Sequence, residues 1–239
     1  MQPVFLSDVE LYYSEKVSND LIEVYGDECH HIKDVMRHKV GDEIYITDGR
    51  GAIYHSLIQK VLKSNIECRT LTARHYENKL GKVTFCIPRL KSPERFEFAL
   101  EKSVELGITN FIVFESQRTV ARGEKLNRWQ KVLISAMKQS LRAWLPTIRY
   151  EYKFDSIFSY PINKILFDQN AEQSFSDWIN LNDQSLLTND HYFIFGPEGG
   201  FDKEELQIAN CEWRIKLTEN RLRSETAIVT AASMLAMNV

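Results

Sequence analysis

The chain has 239 residues, a hydrophobic fraction of 44% and a net charge of −3, enough to bury a sizeable core in one large domain or two smaller ones. No apolar run approaches membrane-spanning length, and Met1-Gln2-Pro3-Val4 leads into an acidic stretch rather than a signal peptide. Cys29, Cys68, Cys86 and Cys211 are far apart and form no paired spacing, which argues against a zinc site and for a reducing, cytoplasmic compartment. The overall charge does not advertise nucleic-acid binding, but it is unevenly spread. Residues 1–25 carry one lysine against five acids, whereas residues 115–149 carry eight Lys/Arg against two Glu, so a local positive surface is hidden in the total.

Residues 1–75 read as a small all-β module. Runs at 21–24, 43–47, 52–58 and 65–68 are rich in β-branched and aromatic residues. Turn formers such as Gly41-Asp42 and Asp48-Gly49-Arg50-Gly51 separate them. Residues 28–37 interrupt the pattern with a short helix marked by Ile32, Val35 and Met36, and His31, Lys33, Arg37, His38 and Lys39 decorate its surroundings. Five of the six histidines lie in this module. The adjacent pair His30-His31 would diverge by about 100° on a helix, with no convergent carboxylate or cysteine set, so no metal site is expected. A surface touching nucleic acid and a purely structural role both remain open.

Residues 76–82 are polar and carry the expected domain boundary, after which strands alternate with helices. Residues 83–87 form a strand. Ser92-Pro93 caps and preorganises a helix over 93–106, with Phe96, Ala99, Leu100 and Leu106 on one side and Gly107 ending it. Further strands fall at 111–114, 164–167, 192–195 and 213–217, with a capped helix near 174–180. A last helix runs from about Glu225 to Met237, with Ser224 as its N-cap. This alternation predicts an α/β domain with a mostly parallel sheet covered on both faces.

A long helix is expected from about 125 to 144. Leu126, Trp129, Leu133, Ala136, Met137 and Trp144 fall on one side, and Arg128, Lys131, Lys138 and Arg142 gather on the other. Arg118 and Arg122 precede it and Arg149 follows. Such a stripe suits a phosphate backbone; the plainer reading is that lysine and arginine are good surface helix formers.

Two loops complete the pattern. Gly196-Pro197-Glu198-Gly199-Gly200 follows an apolar strand and precedes Asp202 and Glu205, a capping box that starts a helix. Strand, glycine loop and helix present amides to a ligand at the carboxyl edge of a sheet, although the glycine spacing fits neither a dinucleotide fold nor a phosphate loop. The alternative is a tight structural turn. Residues 217–227 repeat the arrangement, with Ser224 and Thr226 hydroxyls at a helix start and Arg223 and Glu225 spaced for an ion pair. An ordinary N-cap with surface ions is the alternative there.

Four stretches together resemble a known family. They are His30-His31 through Val35, Arg37 and Val40-Gly41-Asp42 to Asp48-Gly49; Lys102-Ser103-Val104-Glu105-Leu106-Gly107; Gln139-Ser140 with Arg142 and Pro146; and the two C-terminal loops. The pattern resembles the uridine-N3 methyltransferases of bacterial small-subunit (16S) ribosomal RNA, in the knotted SPOUT superfamily. The two C-terminal motifs are the specific ones. The resemblance implies a PUA-like β-barrel over 1–75, which helps hold rRNA. It implies a SPOUT α/β domain over 76–239 with a C-terminal trefoil knot, and a homodimer with the active site near its interface. It further implies that S-adenosylmethionine is wrapped, bent, by the two loops. Phe195, Gly196, Pro197, Gly199 and Gly200 would contact it from the first. Leu217, Thr218, Leu222, Ser224, Thr226 and Ala227 would do so from the second. Thr218 stands where the family usually has glycine, and Arg221 where it usually has isoleucine.

The implied chemistry is in-line methyl transfer to uracil N3, a poor nucleophile until its proton leaves or the resulting anion is stabilised. Arg223 takes the electrostatic role. Glu225 orients Arg223 or accepts the proton, and Glu198 is the rival base. His31, Lys33, Arg37, Arg118, Arg122, Arg128, Lys131 and Lys138 are the candidate RNA contacts, while Gln139 and Arg142 touch either the nucleotide or the partner subunit. No metal is required. Methylation of another RNA position, or a non-catalytic RNA-binding or assembly role on the same fold, are the alternatives.

Overall fold

Residues 9–18, 20–209 and 213–238 are described by a computed structural model, with the backbone alone for 183–187; Gln2-Pro3-Val4 and Cys211 lie outside these residues. The chain forms two units, one of Met1–Asn78 with Met137–Leu145, the other of Lys79–Ala136 with Pro146–Val239.

The first unit begins with β1 (Leu11–Tyr13), β2 (Lys16–Ser18) and β3 (Leu21–Tyr25). Next come α1 (Gly26–His30) and one wider π turn (His31–Val35). β4 (Glu43–Thr47), β5 (Ala52–Val61) and β6 (Asn65–His75) complete it. The six strands make one sheet in the order β1-β4-β5-β6-β3-β2, antiparallel except for the pairing of β1 with β4. Alternation places Ile22, Val24, Ile44 and Ile46 inward against Ile58, Ile66 and Cys68, and Ile32 closes this core. Ser14 donates its N–H to Thr47 O (3.0 Å) and its hydroxyl to Glu23 O (2.6 Å), joining β4 to β3, which share no ladder. β5 and β6 run past the expected 58 and 68. Bulges at His55/Ser56 and Ile58/Lys60 break the period of two that marks a strand in sequence. Of the three apolar residues expected to anchor the short helix, Ile32 is buried but Val35 and Met36 are 57% and 42% exposed. The π turn, with Met36 N–H on His31 O (2.9 Å), rotates the residues after it off the buried face.

Asp48 organises the 48–51 turn. Its Oδ1 accepts the amides of Arg50 (2.7 Å) and Ala52 (3.1 Å). Gly51 has φ +104°, and a Cβ there would lie 2.6 Å from the Trp144 ring. Gly51→Ala therefore combines backbone strain with a collision, and a loss of about 2 kcal/mol or more is expected in urea unfolding.

The second unit opens with β7 (Val83–Pro88), α2 (Pro93–Glu105) and β8 (Asn110–Phe114). α3 (Leu126–Gln139) and β9 (Thr147–Glu151) follow, then a 3-10 segment (Phe154–Ser159). β10 (Asn163–Phe167), β11 (Gln173–Ser174), α4 (Phe175–Thr188) and β12 (His191–Ile194) come next. α5 (Lys203–Ala209), β13 (Trp213–Lys216) and α6 (Ser224–Ala236) end it. The strands form a fully parallel sheet in the order β11-β13-β10-β12-β7-β8-β9. β12 is buried at every position, as a central strand of such a sheet must be. Ser92 caps α2 by accepting Arg95 N–H (3.3 Å), and Pro93 occupies its first turn.

α3 ends at Gln139, earlier than the expected 144. Arg142 N–H reaches Met137 O (2.9 Å) and Leu141 N–H reaches Lys138 O (3.1 Å), a Schellman closure with Leu141 at φ 55°. Arg142 and Trp144 are therefore not on the helix. Leu141 and Trp144 instead pack with Leu11, Ile53 and Ala143, which offsets the cost of a left-handed leucine.

Candidate active site

The strand order turns back beside β12, where the chain, having moved outward through β7, β8 and β9, continues on the other side of β7. Such a switch point leaves a crevice beyond the carboxyl ends of the strands. The connections after β10, β12 and β13 line a cavity of about 770 Å³ there, within the range of small-molecule sites.

Each glycine of the first loop has its own reason. A Cβ on Gly196 would press on the Phe201 ring (3.2 Å), and one on Gly199 would press on Arg118 Cβ (3.2 Å). Gly200 has φ +69°, open to glycine without strain. Phe195 closes the strand below, stacked on Phe167 with centroids 4.7 Å apart. Asp202 and Glu205 form the expected capping box: Glu205 N–H reaches Asp202 Oδ1 (2.8 Å) and Asp202 N–H reaches Glu205 Oε2 (3.0 Å).

Ser224 is not the N-cap of α6; Arg223 holds that position, with no side-chain cap. The Ser224 hydroxyl donates to Gly196 O (2.9 Å), so the two C-terminal loops are tied directly to each other. Ser224→Ala strands a carbonyl, and a loss of about 1 kcal/mol is expected in urea unfolding.

The expected ion pair between Arg223 and Glu225 does not form. Glu225 is buried and faces Arg95 Nε of α2 at 3.6 Å, with Oε2 lacking a hydrogen-bond partner among the described residues. Arg223 is exposed. Its backbone conformation at the cap (φ −73°, ψ 154°) separates it from the helical Glu225, which explains why close spacing did not produce contact. Glu198 accepts Lys91 N–H (3.0 Å), so the carboxylate braces the glycine loop against the β7–α2 connection.

Glu198, Arg223 and Glu225 all line the cavity. So do Phe195, Gly196, Pro197 and Gly200 from the first loop, and Leu217, Leu222, Ser224 and Ala227 from the second. Gly199 lies beside it under Arg118, while Thr218 and Thr226 are not in its wall. Arg118 is in the wall, although its sequence position suggested a backbone-tracking stripe. Sequence reasoning missed Arg95 and the connection after β10. There Asp168 pairs with Arg214, and Gln169 Nε2 donates to the carbonyls of Thr218 and Glu219 (both 3.2 Å). The switch-point rule, applied to every strand end, would have found that third loop.

Three of the remaining cations are held by carboxylates. Arg128 makes a two-pronged contact with Glu97 (2.5 and 2.9 Å), Arg122 meets Glu115 (2.7 Å), and Lys138 meets Glu28. Lys131, Gln139 and Arg142 are exposed. In the first unit, His31 lies 3.5 Å from Glu10, Lys33 is half-buried, and Arg37 is exposed at φ 60°. Among the described residues no three His, Cys, Asp or Glu gather as a metal site, and no helix is long and apolar enough to cross a membrane.

A parallel α/β sheet with an arginine-rimmed, backbone-lined cavity at its switch point defines a ligand-binding domain of the kind used for small cofactors. The RNA methyltransferase domain family matches residues 76–236, and the RNA methyltransferase PUA domain matches 24–71. The chain belongs to this RNA methyltransferase family. A Rickettsia conorii relative, ribosomal RNA small subunit methyltransferase E, is 26% identical, with 94% of this chain and 93% of that one covered. The enzyme of the same name from Neisseria gonorrhoeae, solved with S-adenosyl methionine bound, has 24% identity, a TM-score of 0.82 and coverage of 96% and 97%. A probable rRNA-methyltransferase from Porphyromonas gingivalis has 26% identity, a TM-score of 0.80 and coverage of 96% and 98%.

Proposed function

We propose that the protein methylates N3 of a specific uridine in 16S ribosomal RNA, using S-adenosylmethionine. In this reading residues 76–239 are a SPOUT catalytic domain with a trefoil knot and residues 1–75 a PUA-like barrel that holds RNA. The chain acts as a cytoplasmic homodimer. The observation that carries the reading is the cavity itself: two backbone-rich loops, tied by Ser224 to Gly196 O, beside Arg223, which has no carboxylate partner among the described residues. The names of the relatives support small-subunit ribosomal RNA as the substrate.

The cavity fits the cofactor in volume and in the kind of surface it offers, with loop backbone and aliphatic residues for the nucleoside and arginines for anionic groups. Phe195, Gly196, Pro197, Gly200, Leu217, Leu222, Ser224 and Ala227 would hold it. When bound, it supplies an activated methyl on a sulfonium and leaves as a neutral thioether. Arg223 donates hydrogen bonds to the uracil oxygen on which charge develops as N3 loses its proton. Glu198 is engaged as a loop brace and Asp168 by Arg214, which leaves Glu225, whose Oε2 has no hydrogen-bond partner among the described residues, as the carboxylate in the cavity wall to accept that proton. Extrusion of the base from its stack precedes both steps.

The test is transfer of labelled methyl to small ribosomal subunits lacking the modification, followed by nucleoside mass analysis. N3-methyluridine at one site is expected. A different methylated nucleoside would reassign the substrate, and RNA binding without cofactor binding would make the protein non-catalytic.

A further inference from the structure

The connection between β8 and α3 is irregular yet pinned along its length. Glu115 accepts Gly123 N–H (2.8 Å) and Arg122 (2.7 Å), and also the Tyr150 hydroxyl. Although burial opposes it, these donors hold the Glu115 carboxyl below its ordinary range. Ser116 N–H reaches Thr119 Oγ1 (2.9 Å) and Thr119 N–H returns to Ser116 O (3.0 Å). Gln117 N–H is taken by Glu205 Oε1 (2.9 Å), the same buried carboxylate that caps α5. What this scaffold presents is Arg118. One guanidinium nitrogen donates to Gly199 O (2.8 Å), and its stem occupies the space that a Cβ on Gly199 would need. A guanidinium has five donors, and no other partner for Arg118 lies among the described residues. Arg122, Arg128, Lys138 and Arg214 all face carboxylates.

We infer that Arg118 anchors a backbone phosphate of the RNA strand next to the target nucleotide and, through Gly199 O, couples that contact to the cofactor loop. The inference rests on the function proposed above. An exposed, pre-positioned fork at the cavity rim matches a phosphate's paired oxygens. The strap on Gly199 means that fixing the guanidinium also fixes the loop. Arg118 is thus an RNA contact and a positioning residue for Gly196–Gly200 at once.

The experiment uses the full chain and unmodified small-subunit rRNA. It compares wild type, Arg118→Ala and Arg118→Lys, with equal thermal midpoints confirming folding. RNA affinity is followed against salt, and S-adenosylhomocysteine affinity is measured with and without RNA. Losing one phosphate contact should reduce the salt slope by about 0.7–0.9 in Arg118→Ala, with RNA binding several-fold weaker. RNA should tighten S-adenosylhomocysteine binding several-fold in wild type and not in Arg118→Ala. Lysine should restore the slope without the coupling, because a point charge cannot grip a phosphate and Gly199 O in one fixed fork. An unchanged slope in Arg118→Ala overturns the inference, and so does a fall in S-adenosylhomocysteine affinity alone, which would make Arg118 a cofactor contact. Methyl transfer by wild type separates the two levels. Transfer with an unchanged slope removes the phosphate site and leaves the function; a reduced slope without transfer does the reverse.

Discussion

Arg223→Ala is expected to lower kcat for methyl transfer by about 10²- to 10³-fold, the effect of removing one preorganised donor to a developing oxyanion. The substitution is clean because the side chain is exposed and has no hydrogen-bond or ion-pair partner among the described residues. The contribution of residue 223 to α6 is made by its backbone, whose carbonyl accepts Ala227 N–H at 2.8 Å, and alanine keeps that bond. Unfolding free energy should therefore shift by no more than about 0.5 kcal/mol, and RNA affinity by the worth of a single rim charge. Single-turnover methylation with saturating cofactor reads the chemical step directly. A rate within a few-fold of wild type would remove Arg223 from the mechanism and transfer attention to Arg95, the arginine that faces Glu225 in the cavity wall.

Phe193→Ala should act in the opposite way, on stability first. Phe193 is fully buried in β12. Its ring meets those of Phe85, Phe167, Phe175, Trp178 and His191 at centroid distances of 5.7–6.2 Å. Truncation removes the hub of a cluster whose members come from both sides of the strand order, and it leaves a cavity too confined to collapse. A cost of about 3–5 kcal/mol follows from burial and cavity together. For a unit of this size that corresponds to a fall of roughly 10 °C in Tm, measurable by calorimetry. A shift of one or two degrees would mean that neighbouring rings close the gap.

The capping box of Asp202 and Glu205, the Ser92-Pro93 start of α2 and the buried strands β7, β8, β10 and β12 were legible in sequence because each depends on neighbours a few residues away. The C-terminus of α3 was not. Its Schellman closure uses Leu141 where glycine is the usual signal, and the compensation comes from Leu11 and Ile53, far off in the chain. The edge strands β9 and β11 escaped for a related reason: one is half-exposed along most of its length and the other spans two residues, so neither presents an apolar run. At the site, the two C-terminal loops announced themselves through glycine and a helix start. The partner of Glu225 could not be read there, because spacing favours Arg223 whereas the fold brings Arg95. Arg118 illustrates the same limit. A cation four residues past the end of a strand looks like surface charge until the Glu205 contact and the Gly199 carbonyl fix where it stands.

The return of residues 137–145 to the first unit has a consequence for biosynthesis. When residue 78 has been made, Leu11 and Ile53 still lack Ala143, Leu141 and Trp144, and Gly51 and Gly49 lack the chain that bonds to them through Ala143 O and Leu145 N–H. At about 5–20 residues per second, roughly 3–13 s pass before those groups exist. The amino-terminal unit must wait, incomplete, for a piece of chain encoded inside the next one, and a gene fragment cut at the apparent boundary would leave it waiting permanently.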